Sequence, residues 1–189
     1  MIKELKLVSS ICPSNNHYLS YRVVKSGNRN IVSPYPTEET KKFKKEFISY
    51  IKDEVVKQGW EMDCTGLQHY YMDWDVYFPR IDMDAANYDK VIADSITESG
   101  VVWIDDNTLC NRVNHIYYDS KNPRIELTIH PVDYIGIFNT QKQLDEFEQK
   151  CKTCSRYKRN CALLKNAKVG RIQEEISDLI CNKYKELKK

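Results

Sequence analysis

No apolar run in this 189-residue chain approaches the length needed to cross a bilayer, and its opening residues, MIKELKLVSS, lack the apolar core of a signal peptide. The expected setting is cytoplasmic, without a membrane partner. Internal repeats and low-complexity segments are also lacking, which sets aside solenoid and linker readings. Seven cysteines cannot all pair, and in a reducing compartment most are expected as free thiols rather than as a disulfide framework. A net charge of only +2 excludes nothing by itself, while 30% charged and 41% hydrophobic residues describe a folded globular chain rather than a disordered one.

What is present is an uneven distribution of charge. Nine acidic residues fall between Asp73 and Asp106, against Arg80 and Lys90 alone. Eight basic residues and no acidic one fall between Lys150 and Arg171, and another basic group, TKKFKKEF, occupies 40–47. An acidic centre with basic surroundings suits an enzyme that holds cations at its chemistry and grips a polyanion around it. Solvated helix faces are the plain alternative.

The pattern of apolar residues predicts the elements that carry these charges. KELKLVSSI (3–11) alternates as a strand, stopped by the loop CPSNNHY, and YRVVKSGNRNIVSPYP is extended about a Gly–Asn turn. Thr37 is placed to cap a helix running to about Gln58, with Phe43, Phe47, Ile51 and Val55 on one stripe. GLQHYYMDWDVYFP is a strand that buries Tyr70, Met72, Trp74, Val76 and Phe78, so Asp73 and Asp75 face the other way. A helix over roughly 86–99 ends at Gly100. It carries Lys90 and Asp94 on one polar stripe at i,i+4 spacing. Strands near 109–118 and 124–130 complete the domain, and from about 140 the pattern becomes helical and basic.

Asp82 and Asp84 fall in the loop after Pro79, and Asp105–Asp106 follow the next helix. If that helix packs back on the sheet, these carboxylates converge, and converging carboxylates repel unless a cation sits between them. Hard oxygen ligands with open positions favour Mg²⁺ or Mn²⁺, which keep waters and accept a substrate phosphate oxygen. Such a site suits phosphodiester hydrolysis, with a nearby lysine to stabilise the transition state. By spacing alone the same residues also read as structure: Asp82 as a turn residue, Asp84 as an N-cap, Lys90–Asp94 as a surface pair.

PSNN (13–16), following the first strand, resembles the corresponding loop of the RusA family of Holliday junction resolvases. The family's second block reads Asp-x-Asp-Asn-x-x-Lys, then an Asp four residues on, a Gly and a closing Asp–Asp. Here Asp82-Met-Asp84, Asn87-Tyr-Asp-Lys90, Asp94, Gly100 and Asp105–Asp106 follow in that order, with Trp103 ahead of the closing pair. The resemblance covers roughly residues 5–131. It departs at Ala85–Ala86, which intervene before Asn87. The resemblance implies a small α/β nuclease with a mixed β-sheet and packed helices, acting as a Mg²⁺-dependent homodimer on four-way DNA junctions. It assigns Asp82, Asp84 and Asp106 to the metal, with Asp105 as the other member of the closing pair, and Lys90 to catalysis. Asn15, Asn16, His17 and Asn87 become candidates for DNA contact.

CKTCSRYKRNC places Cys151, Cys154 and Cys161 within eleven residues. CxxC is half of a zinc signature, but a second CxxC is missing, so Cys181 or a histidine such as His130 would have to be the fourth ligand. Arg156, Lys158 and Arg159, around Tyr157, suit phosphate contact. VGRIQEEISDLICNKYKEL reads as an amphipathic helix, with Ile172, Ile176, Leu179 and Ile180 on one side.

The expected organisation is a RusA-like endonuclease domain over 1–138 and a basic, cysteine-containing helical extension over 139–189. The expected function is a Mg²⁺- or Mn²⁺-dependent endodeoxyribonuclease that resolves branched DNA, with zinc a candidate in the extension. Two alternatives stay open: a non-catalytic branched-DNA-binding module of the same fold, and an adaptor whose zinc-bound tail binds protein.

Overall fold

The computed structural model describes residues 4–171 and 174–187. It divides into two compact units, Met1–Val132 and Asp133–Lys189.

The first unit is built on a four-stranded mixed sheet of order β1-β6-β4-β5. β1 (Leu5–Ser10) and β4 (His69–Phe78) flank β6 (Arg124–Val132), both antiparallel to it, while β5 (Leu109–Tyr118) runs parallel to β4 on the outer edge. Between β1 and β4 the chain forms a separate ribbon, β2 (Leu19–Ser26) and β3 (Arg29–Pro36), and then α1 (Glu38–Gln58). α2 (Asp89–Ser99) makes the crossover from β4 to β5 that a parallel pair requires.

The strict alternation expected of β4 is observed. Tyr70, Met72, Trp74, Val76 and Phe78 are buried beneath Phe43, Phe47 and Ile51 of α1 and Val91, Ile92 and Ile96 of α2. On the other face, Asp73 accepts both Nε (2.6 Å) and Nη2 (2.8 Å) of Arg112, whose guanidinium lies 3.9 Å over the Tyr71 ring. Asp75 contacts Nδ1 of His115 at 2.8 Å. Two of the nine central acids are therefore engaged in cross-strand pairs.

α1 begins and ends as its sequence dictates. The Thr37 hydroxyl accepts the Thr40 N–H, and Gly59 adopts the left-handed conformation (φ 62°) that closes the last turn. A salt bridge of 2.6 Å from Lys44 Nζ to Glu98 links α1 to α2.

The second unit departs from the expected all-helical extension. α3 (Gln141–Lys152) and α4 (Leu163–Lys168) are helical, but 153–160 is a run of turns, and β7 (Ile176–Ser177) pairs with β8 (Ile180–Cys181) as a short hairpin. The expected helix over 169–187 is therefore a correction. Asp178 and Leu179 take left-handed φ values of 49° and 59° in the hairpin turn, which breaks helical periodicity where the apolar stripe had suggested a continuous face. Ile172 of that stripe lies outside the described residues. The unit's own core is small: Phe138, Leu144, Phe147 and Ala167.

Ile92 is fully buried between α2 and the sheet. Ile92→Ala is expected to lower the stability of the first unit by about 2–5 kcal/mol. Urea unfolding would show this as a reduced midpoint with an unchanged m-value.

Candidate active site

The loop between β4 and α2 carries the first acidic pair. Asp82 is exposed and pairs with Arg80 Nε at 2.9 Å. Asp84 accepts the Ala86 N–H at 3.0 Å and caps a single 3-10 turn formed by Ala85–Asn87. The Ala85–Ala86 insertion is thus absorbed as one turn, with the Ala85 side chain buried. Asp82 and Asp84 both act electrostatically on the buried Tyr88, whose hydroxyl is raised above its ordinary pKa first by burial.

This turn is tied to the PSNN loop. The Asn15 backbone N–H donates to Asn87 O at 2.6 Å, and its side-chain Nδ2 donates to Ala86 O and to Asp89 Oδ1, both at 3.0 Å. Asn15 therefore has a structural task as a latch. Its neighbours Asn16 and His17 stay exposed, and Asn87 is half-buried. Beneath the latch, burial pushes the Cys12 thiol up to about 12, and its Sγ contacts Tyr88 O at 3.6 Å.

The second acidic pair lies beyond α2. Gly100 ends the helix in the left-handed conformation. The loop is then pinned by buried Trp103, whose indole N–H donates to Thr97 Oγ1 at 2.8 Å. Asp105 caps the short 3-10 turn Asp106–Thr108 by accepting the Asn107 N–H at 3.1 Å. Asp106, half-buried, holds its proton above the usual carboxylate range, because of burial first and then the adjoining Asp105 carboxyl, with Asp94 adding to the effect. Lys90 Nζ donates to Asp94 Oδ1 at 3.2 Å, which raises the lysine above its ordinary pKa; Tyr18 and Asp106 act on it in the same direction.

The fold therefore assembles Lys90, Asp94, Asp105 and Asp106 into one electrostatic group, with Tyr18 close by. Asp94 and Tyr18 were not among the expected site residues. The i,i+4 spacing to Lys90 was the available signal for Asp94, whereas Tyr18 has none in sequence. Asp82 and Asp84 do not act on that group, and among the described residues no three His, Cys, Asp or Glu side chains, those of Asp94, Asp105 and Asp106 included, are arranged to hold a metal ion.

The same finding applies to the cysteines expected to bind zinc. Cys151, Cys154, Cys161 and Cys181 are free and half-buried. Burial pushes the Cys151 thiol up to about 11, with Cys181, Cys161 and Cys154 reinforcing the shift. Of the basic tail residues, Lys158 and Arg159 are exposed and Arg156 is half-buried. They lie on turns, with Lys158 in the left-handed region (φ 56°).

A mixed sheet with two helices on one face, and carboxylates clustered beside a lysine on the loops of its parallel crossover, defines a small α/β protein with a site suited to phosphodiester chemistry. The model of the endodeoxyribonuclease RusA family matches residues 13–130, more than half of the chain. The chain belongs to that family, whose members are endodeoxyribonucleases that resolve Holliday junctions. Curated proteins offer no match.

The raised Asp106 has a consequence for stability. A carboxyl whose folded pKa exceeds its unfolded value destabilises the fold when ionised. The penalty is complete above the folded pKa and vanishes below the unfolded value, about 3.9. Asp106→Asn is thus expected to raise Tm at pH 7, and the gain should disappear as the pH is lowered through that range. Thermal unfolding of both proteins at several pH values checks this.

Proposed function

We propose that the protein is a divalent-metal-dependent endodeoxyribonuclease that resolves four-way DNA junctions by paired symmetric nicks, with Mg²⁺ or Mn²⁺ as its ion. Family membership sets the reaction class. One observation carries the reading to particular residues: Lys90 lies among the carboxylates of Asp94, Asp105 and Asp106 along α2 and the loop that follows it. These donors suit the ion chemically. All are hard oxygens, and Asp106 is a carboxyl that burial first, and then Asp105 and Asp94, disfavour from ionising, a cost that a bound cation would offset.

When bound, the ion lowers the pKa of a coordinated water and offsets charge on the scissile phosphate. Asp105 and Asp106 would hold it, with Asp82 and Asp84, which stand apart from them in the structure, as the further metal carboxylates that family membership suggests. Lys90, kept charged by Asp94, would donate a hydrogen bond to a phosphate oxygen as charge develops there. Asp94 is a positioning residue, since it acts through the lysine. The exposed Asn16 and His17, with Asn87, would meet DNA beside the site, and Arg156, Lys158 and Arg159 would contact phosphates from the second unit. A homodimer is part of the same proposal, because a two-fold junction offers two equivalent strands to two equivalent sites.

The competing reading is a non-catalytic branched-DNA-binding module. The engagement of Asp84 as a cap and of Asp82 with Arg80 favours it. Cleavage of a labelled four-way junction separates the two. Wild type is expected to nick in Mg²⁺ and not in EDTA, with Lys90→Ala and Asp106→Asn each slowed about 100-fold or more while still binding the junction. Tight binding with no cutting in either Mg²⁺ or Mn²⁺ would establish the binding module instead.

A further inference from the structure

The β2–β3 ribbon forms its own two-stranded sheet, separate from the four-stranded one. A lone ribbon is marginal in water, so apolar side chains left on it ask for a covering surface. Its register sets Tyr21 opposite Pro34 and Val23 opposite Val32, and alternation puts both pairs on one face. Tyr21, Val23 and Val32 are 68%, 66% and 63% exposed. Arg22, Lys25 and Arg29 are also exposed, and the span from Leu19 to Pro36 contains no Asp or Glu. Arg22 leans over the Tyr35 ring, 5.3 Å from its centroid, on the opposite face.

The base of the ribbon is fixed beside the site. Tyr18, the residue before β2, accepts the Thr37 N–H and the Thr40 hydroxyl, both at 3.0 Å, which closes the two strands onto the start of α1. Three residues before Tyr18 is the Asn15 latch to the acidic loop. The base of the ribbon is thus tied close to Lys90, on which Tyr18 acts.

We propose that the ribbon recognises the branch point of the DNA substrate: Arg22, Lys25 and Arg29 contact phosphates of the arms, and the Tyr21–Val23–Val32 face covers bases unstacked at the junction. The inference rests on the DNA-cutting reading above and adds to it the origin of structure selectivity. A basic ribbon alone would bind any duplex through counterion release. A continuous duplex keeps its base faces stacked and offers nothing to an apolar face, whereas a branch exposes them, and apolar side chains are used as wedges at unstacked steps. A ribbon that combines both, without an acidic residue to repel phosphate, matches a branched polyanion better than a protein surface.

The test is binding of the full-length protein to a four-way junction and to a linear duplex of the same sequence, in EDTA, at several salt concentrations. Val23→Ser/Val32→Ser is expected to weaken junction binding and to leave duplex binding unchanged, and adding Tyr21→Ala is expected to bring the loss to about 5- to 150-fold, the range that loss of a base–aromatic stack gives. Arg22→Gln/Lys25→Gln/Arg29→Gln is expected to weaken both substrates and to make the salt dependence shallower by up to about 2.7 in log–log slope. Unchanged junction selectivity in the valine variant would overturn the proposal. So would a shift of that variant from dimer to monomer by light scattering, which would assign the face to a second copy of the chain. Because binding is read without metal, these outcomes are decided even if the wild type proves unable to cut.

Discussion

Parallel pairing of β5 with β4 obliges the chain to cross back over the sheet, and α2 is that crossover. Its buried side, with Val91, Ile92 and Ile96, is held down by the apolar face of β4. Its other side then has a fixed orientation and carries Lys90 and Asp94 outward. The loops at its two ends bear all the remaining candidate carboxylates. Trp103 anchors one loop through Thr97, and Asn15 anchors the other through Ala86, Asn87 and Asp89. The site is thus a property of one helix and two pinned loops, supported by a core that takes no part in the chemistry.

The electrostatics of this arrangement oppose stability. Asp105 and Asp106 are adjacent in sequence and Asp94 is near enough to act on Asp106, so ionising the cluster costs energy that the packing of α2 must offset. By contrast, on the same stretch of chain, Asp73 forms a salt bridge with Arg112 and Asp75 contacts His115 Nδ1. Beside α2, Asp105 and Asp94 instead act on Asp106, with Lys90 as the opposing charge. A bound cation would offset that repulsion.

Most of the first unit was legible in the sequence because its elements are periodic and capped. β4 alternates without a break, α1 begins at Thr37 and ends at Gly59, and α2 ends at Gly100. The PSNN loop and the Lys90–Asp94 stripe were also recognisable. The tether formed by Asn15 was not, because its partners Ala86, Asn87 and Asp89 are far along the chain and two of its three contacts involve backbone carbonyls. Asp84 was legible as an N-cap, but nothing in the sequence showed that it would cap a separate 3-10 turn ahead of α2. In the second unit the apolar spacing of Ile176, Leu179 and Ile180 suited a helix equally well, and only the left-handed turn at Asp178–Leu179 decides for a hairpin.

The proposed chemistry rests on binding of a divalent cation by the carboxylates beside α2. Its most direct test is Mn²⁺ binding without DNA, followed by loss of the free-ion electron paramagnetic resonance signal in wild type, Asp106→Asn and Asp73→Asn. One site per chain is expected, lost in Asp106→Asn and kept in Asp73→Asn, whose carboxylate serves Arg112. Equal Mn²⁺ binding by wild type and Asp106→Asn would contradict it.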